Sequence, residues 1–166
     1  MALSAQPTIL EAANLVCGAD GNHNHLRLLD VKLPTIEEQY LDHRPGGAPV
    51  AIEVDVIINK FQCDFALAGW SPKIDALVRA WSVGANDFKF FGALRKHPTG
   101  EVVQVIANMT GRLGKVSYDS WRRGGLSQTS YSIKGIINYS LVVAGEPLFD
   151  WDFFNNTVFT ADYTLF

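Results

Sequence analysis

Several short stretches carry residue types that do chemistry elsewhere. His23 and His25 stand two apart, so on a strand they would share a face and could ligate zinc with a third partner. No nearby cysteine or spaced carboxylate completes that set, and the flanking Asn22 and Asn24 mark a turn with exposed histidines. The run Gly111-Arg112-Leu113-Gly114-Lys115 matches a phosphate-binding loop in part only. The full pattern needs glycine where Met109 stands and Ser or Thr where Val116 stands. Its flanks also read as strands, without the helix N-terminus that gathers phosphate charge. Cys17 and Cys63 lack metal-ligand spacing and any nucleophile signature, and read as two buried thiols. Ser127 lacks the second glycine of a nucleophile elbow. The chain therefore reads as no enzyme, with no cofactor and no metal.

Trp121-Arg122-Arg123 joins an aromatic platform to two cations, a pairing that suits nucleic acid. The whole chain argues against that use. Its 166 residues carry a net charge of −3, with a pI near 5.7, so no general basic face exists for neutralising phosphates. A solvated or interface loop is the reading favoured for this stretch. At 48% hydrophobic and 19% charged residues, with mean hydropathy +0.06, the composition is that of one globular domain whose surface is partly buried again in an assembly. The start has no basic region before an apolar core, and no run approaches the roughly 20 apolar residues that span a bilayer. The expectation is a soluble protein made in the cytoplasm, with no membrane anchor.

The elements that must position these residues are mostly strands. A hairpin is expected from residues 12–17 and 26–33 around a turn at 18–22. In residues 51–68 the apolar positions are Ile52, Val54, Val56 and Ile58, then Phe61, Cys63, Phe65 and Leu67. The phase flips across Asn59-Lys60. A hairpin turn there would place Asp55 opposite Asp64, with Glu53 on the same polar face; a bulge would also flip the phase. One helix is expected over 71–83, with Ser71 as N-cap, Pro72 at its first position, and Ile74, Leu77, Val78 and Trp81 as its core stripe. Trp70 is expected to pack with that stripe. Further strands are expected at 88–94, at 102–118 with a bulge or bend near Gly111 and Gly114, at about 131–143, and at 148–154. Between Tyr40 and Ala51, YLDHRPGGAPVA is a stiff irregular loop, too rich in proline and glycine for a helix or central strand. The fold class is mainly β with one α-helix.

Across residues 26–155, the run LLDVKLPTIEEQYLDHRPGGAPVAIEVDV, then FQCDFALAGW, SPKIDALVRAWSVG and YSLVVAGEPLFDWDFFN, resembles the major tail tube protein of contractile-tailed bacteriophages. The resemblance implies a single tail tube domain over 1–166, with residues 1–25 as an N-terminal arm or hairpin. It implies a β-barrel or sandwich subunit whose long hairpins join neighbours into a continuous inner barrel, built from stacked hexameric rings. The implied partners are further copies of the chain, the tail sheath protein, and the baseplate and tail terminator proteins, with the tape measure protein and DNA passing through the lumen. Such a tube is assembled in the host cytoplasm, sits in the virion tail and serves DNA ejection. Within that frame Glu53, Asp55 and Asp64 are lumen-facing candidates. Residues 40–50 are the candidate inter-ring loop, with Asp42, His43, Arg44, Pro45, Gly46 and Gly47 as its contacts. A reading from another class is a monomeric β-barrel that binds a small apolar ligand.

Overall fold

The structure, a computed structural model, describes residues 7–18, 22–24, 26–47, 49–78 and 84–160. His25 and Trp81, two residues singled out above, lie outside them. Eleven strands and one short helix follow in chain order: β1 (Thr8–Cys17), β2 (Asn22–His23), β3 (Leu28–Lys32), β4 (Glu38–His43), β5 (Ile52–Ile58), β6 (Cys63–Ala68), α1 (Pro72–Asp75), β7 (Asn86–Lys96), β8 (Val102–Tyr118), β9 (Gln128–Val143), β10 (Glu146–Asp152) and β11 (Thr157–Thr160).

Two long strands organise the rest. β8 and β9 pair along most of their length, and β9 shares its other edge between β10 at one end and β6 at the other. One half of the sheet runs β11-β10-β9-β8-β7-β1-β2, while β6 and β3 extend the other half. The halves fold over one another as a sandwich instead of closing into a barrel. Phe65 of β6 stacks on Tyr131 of β9 and meets the edge of Phe90 of β7, with centroids 5.1 and 5.8 Å apart. Leu15, Cys17, Cys63, Leu67, Phe88 and Ile133 complete a core with no exposed surface on these side chains.

The bend that permits this folding sits at two register shifts, between Thr110 and Arg112 and between Leu113 and Lys115. Glycine is required at the first of them. A Cβ on Gly111 would lie 3.0 Å from Ile133 Cγ2, 3.2 Å from Ile136 Cγ1 and 3.3 Å from the Ile136 backbone. The close approach of β8 to β9 thus uses the absence of a side chain.

Three expectations are corrected. Residues 12–17 do not pair with 26–33: β1 pairs with β2 and β7, and β3 pairs with β6. The chain does not turn at Asn59-Lys60 either, because β5 pairs backwards with β4. The flip in apolar phase is a bulge. Gln39 lies opposite Ile57 and Tyr40 opposite Asp55, which leaves Val56 as the extra residue. Asp55 therefore never faces Asp64, and the like-charge conflict of the expected hairpin does not arise. The helix is a single turn, Pro72–Asp75, and the chain leaves it in a turn at residues 76–77, short of the expected 71–83. Ser71 is its N-cap but makes no side-chain capping bond. Ile74 is buried, and Leu77 and Val78 are half-buried against the core.

Gly111→Ala should lower the free energy of unfolding by about 1–3 kcal/mol through overpacking. Urea denaturation checks this; an unchanged midpoint would remove the bend from the list of constraints.

Candidate functional site: an amphipathic arm and a basic cleft

The ladder between β3 and β6 and the ladder between β4 and β5 are two parts of one hairpin. Lys32 lies opposite Asp64 and Glu38 opposite Ile58, so six positions pass along each strand between the two ladders. The register is unbroken. Pro34 has no N–H to give and interrupts the pairing, and the Asn59 N–H donating to the Glu37 carbonyl at 2.8 Å carries it across the gap. The root of this hairpin belongs to the sandwich. Its outer part, β4, β5 and the described residues 44–47 and 49–51 between them, is a two-stranded arm that pairs with no other strand among the described residues.

The arm has two different faces. Directly opposed residues share a side, which puts Leu41 with Val54 and His43 with Ile52 on one face. Leu41 and Ile52 are more than half exposed. Near the root, Ile57 and Phe61 line a groove with Ile136, Trp151 and Phe153, which Lys60, Gln62 and Lys134 also border. The opposite face carries Tyr40 with Asp55 and Asp42 with Glu53. The Tyr40 hydroxyl donates to Glu38, and that bond, with the charges of Asp55 and Glu53 adding to it, raises the phenol above its ordinary pKa. Glu53 and Asp55 are thus brought together with Glu38 and Asp42 on an exposed strand pair.

Asp64 is elsewhere, at the hairpin root in a row across four strands: Lys32, Asp64, Ser132 and Lys115. The Ser132 hydroxyl and the Gln62 amide donate to it. The Ser132 bond is the largest cause that holds this carboxyl below its usual pKa, with Gln62 and the charges of Lys32 and Lys115 acting the same way against partial burial. A depressed pKa adds stability above the unfolded-state value, which is lost as pH falls through the folded value.

Of the expected inter-ring residues, Asp42 and His43 end β4, while Arg44, Pro45, Gly46 and Gly47 form the tip; all six are exposed. Gly47 has φ of +89°, a conformation that favours glycine.

At the other end of the hairpin, beside Ala68 and Gln128, lies a cleft of about 760 Å³. Its walls are Trp70, Tyr118 and residues 119–127, which join β8 to β9. Trp70 is 59% exposed, so it does not pack under the helix as expected. It is held by its polar tip instead: its indole N–H and the Tyr118 hydroxyl donate to Asp75 Oδ2, and the Tyr131 hydroxyl donates to Asp75 Oδ1. Arg27 fixes the backbone of the same wall by donating to the carbonyls of Ala68 and Trp70, at 3.2 and 2.6 Å. Beyond the wall, Trp121 is 86% and Leu126 96% exposed.

Neither thiol is reachable. Cys17 and Cys63 are buried and unpaired, and burial is the main cause that raises each to about 12. No group of three metal-ligating side chains occurs among the described residues, and no helix there is long and apolar enough to cross a membrane.

Chains of several solved structures share this fold. A chain of the PVC sheath–tube complex in its extended state superposes with a TM-score of 0.60 at 10% identity, covering 84% of this chain and 93% of that one. A chain of the anti-feeding prophage tube-terminating cap gives 0.56 at 12% identity, covering 97% and 100%. A chain of the anti-feeding prophage baseplate gives 0.56 at 10% identity, covering 87% and 97%. No curated protein matches by sequence. Over residues 7–163 the sequence matches the family of phage tail tube protein FII, and the chain belongs to that family, one of structural proteins and not enzymes.

Asp75→Ala should cost about 1–3 kcal/mol by removing the acceptor shared by the Trp70, Tyr118 and Tyr131 donors. The unfolding midpoint measures it, and a change below about 0.5 kcal/mol would contradict the anchoring role.

Proposed function

We propose that the chain, as one tail tube domain, builds the inner tube of a contractile phage tail from stacked hexameric rings, and that the tube is the conduit for DNA ejection. The observation that carries this reading is the arm. In a family of tail tube proteins, it has an exposed apolar face, an acidic face and two backbone edges that no strand among the described residues pairs. Such a ribbon is marginal alone, and its edges template pairing with another chain. Joining arms edge to edge around a ring satisfies the backbone groups and removes the edges altogether.

In that ring the acidic face, with Glu53 and Asp55, lines the lumen. Repulsion between carboxylates and phosphates, whose charges recur every ~1.7 Å along duplex DNA, prevents the cargo from adhering. Asp64 contributes at the root of the wall, where it offsets Lys32 and Lys115. Residues 40–50 reach the adjacent ring. The outer surface meets the sheath, and the ends of the tube meet baseplate and terminator proteins. The tape measure protein occupies the lumen before DNA does. Assembly takes place in the host cytoplasm, and the finished tube resides in the virion tail.

The lumen assignment is tested with Asp55→Cys, since both native thiols are buried. In assembled tubes a small maleimide should label position 55, while a bulky polymer maleimide should not. Equal labelling by both would put this face outside. Electron microscopy of the purified chain should show rings or hollow tubes. A persistent monomer in light scattering would contradict the tube reading.

A further inference from the structure

The long hairpin has chemically opposite ends. At the arm end, Asp42 and Glu53 lie opposite each other beside the tip residues Arg44, Pro45, Gly46, Gly47, Pro49 and Val50, which are exposed. At the root end, β6 finishes against the start of β9, and the Gly69 N–H donates to the Ser127 carbonyl at 2.7 Å, which fixes the 119–127 loop there. That loop presents Arg122 and Arg123, and neither forms an ion pair among the described residues, where the ion pairs are Arg95–Glu11 and Lys96–Glu101.

We propose that the arm tip of one copy seats in the cleft between Trp70, Tyr118 and the 119–127 loop of a second copy in the adjacent ring. This rests on the tube reading and names the partner surface of the inter-ring loop. Three features favour this occupant over an unrelated protein. Aromatic walls suit a proline-containing segment, because the fixed rings of Pro45 and Pro49 lose little freedom on docking. Charge is complementary in both directions: Arg122 and Arg123 face Asp42 beside the tip, while Arg44 meets Asp119 in the cleft wall. The two surfaces also lie at opposite ends of one hairpin. A heterologous contact between opposite ends, where its operator does not close into a ring, propagates as a stack. Asp75 and Arg27 hold the Trp70 wall before docking, which reduces the ordering cost.

The test uses the full chain with Arg122→Glu and Arg123→Glu, and a charge-swapped version that adds Asp42→Arg. The first should give separate rings in place of tubes, and the second should restore tubes. Tubes of unchanged length from the first variant would overturn the docking, as would failure of the swap to restore them while rings persist. A second readout is the Asp42→Cys, Arg122→Cys chain, which should give a ladder of disulfide-linked species on non-reducing gels of oxidised tubes. A single monomer band would overturn the contact. A wild-type chain that never forms rings would instead remove the tube reading itself.

Discussion

Backbone pairing along the hairpin of residues 28–67 is the constraint on which the other features depend. Its root is saved from exposure by β9 on one side and by the core beneath it. Its outer part has no such cover among the described residues, so β4 and β5 pair with each other and with no further strand there. A single chain cannot improve on this without folding the arm back across Pro34, where the ladder is already interrupted. The unbroken register across that gap makes the arm an extension of the sandwich, aimed by it. Sequence thus produces a subunit with a stable body and a limb whose strands pair with no others among the described residues.

The body is shaped to hold that limb. Gly111 lets β8 and β9 approach closely at the bend, which brings β6 over β7 and buries Phe65 between Tyr131 and Phe90. The far end of the hairpin is tied by polar bonds where the apolar core runs out. There Asp75 gathers three aromatic donors from a segment before the helix and from two long strands. The Asp64 row closes the other polar face of the root, and acidification weakens it as that carboxylate takes up a proton.

Much of this was legible in the sequence where alternation was long and unbroken. The limits of the strand at 102–118, the irregularity at Gly111 and Gly114 and the buried state of both cysteines follow from local pattern alone. The pairing of residues 51–68 did not, because a turn and a one-residue bulge produce the same phase flip, and only the partner strand distinguishes them. The true partner, residues 38–43, has apolar Leu41 between polar Tyr40 and Asp42, too short an alternation to announce itself. The helix stripe overstated its length: Ile74 is buried as expected, yet the chain leaves the helix after one turn. Asp75 had no visible signal. Its donors Tyr118 and Tyr131 are distant in sequence, and a lone aspartate in a helix reads as solvated. Glu53 and Asp55 share one face of the arm, and the expected pairing of Asp55 with Asp64 was misplaced by the same false turn.

Hydrogen–deuterium exchange of the arm amides measures the proposed assembly most directly, comparing dispersed subunits with assembled tubes. The outward-facing N–H groups of residues 38–43 and 52–58 should exchange quickly in the subunit and become strongly protected in the tube. Exchange that stays equally fast in both states would contradict edge-to-edge closure of the arms.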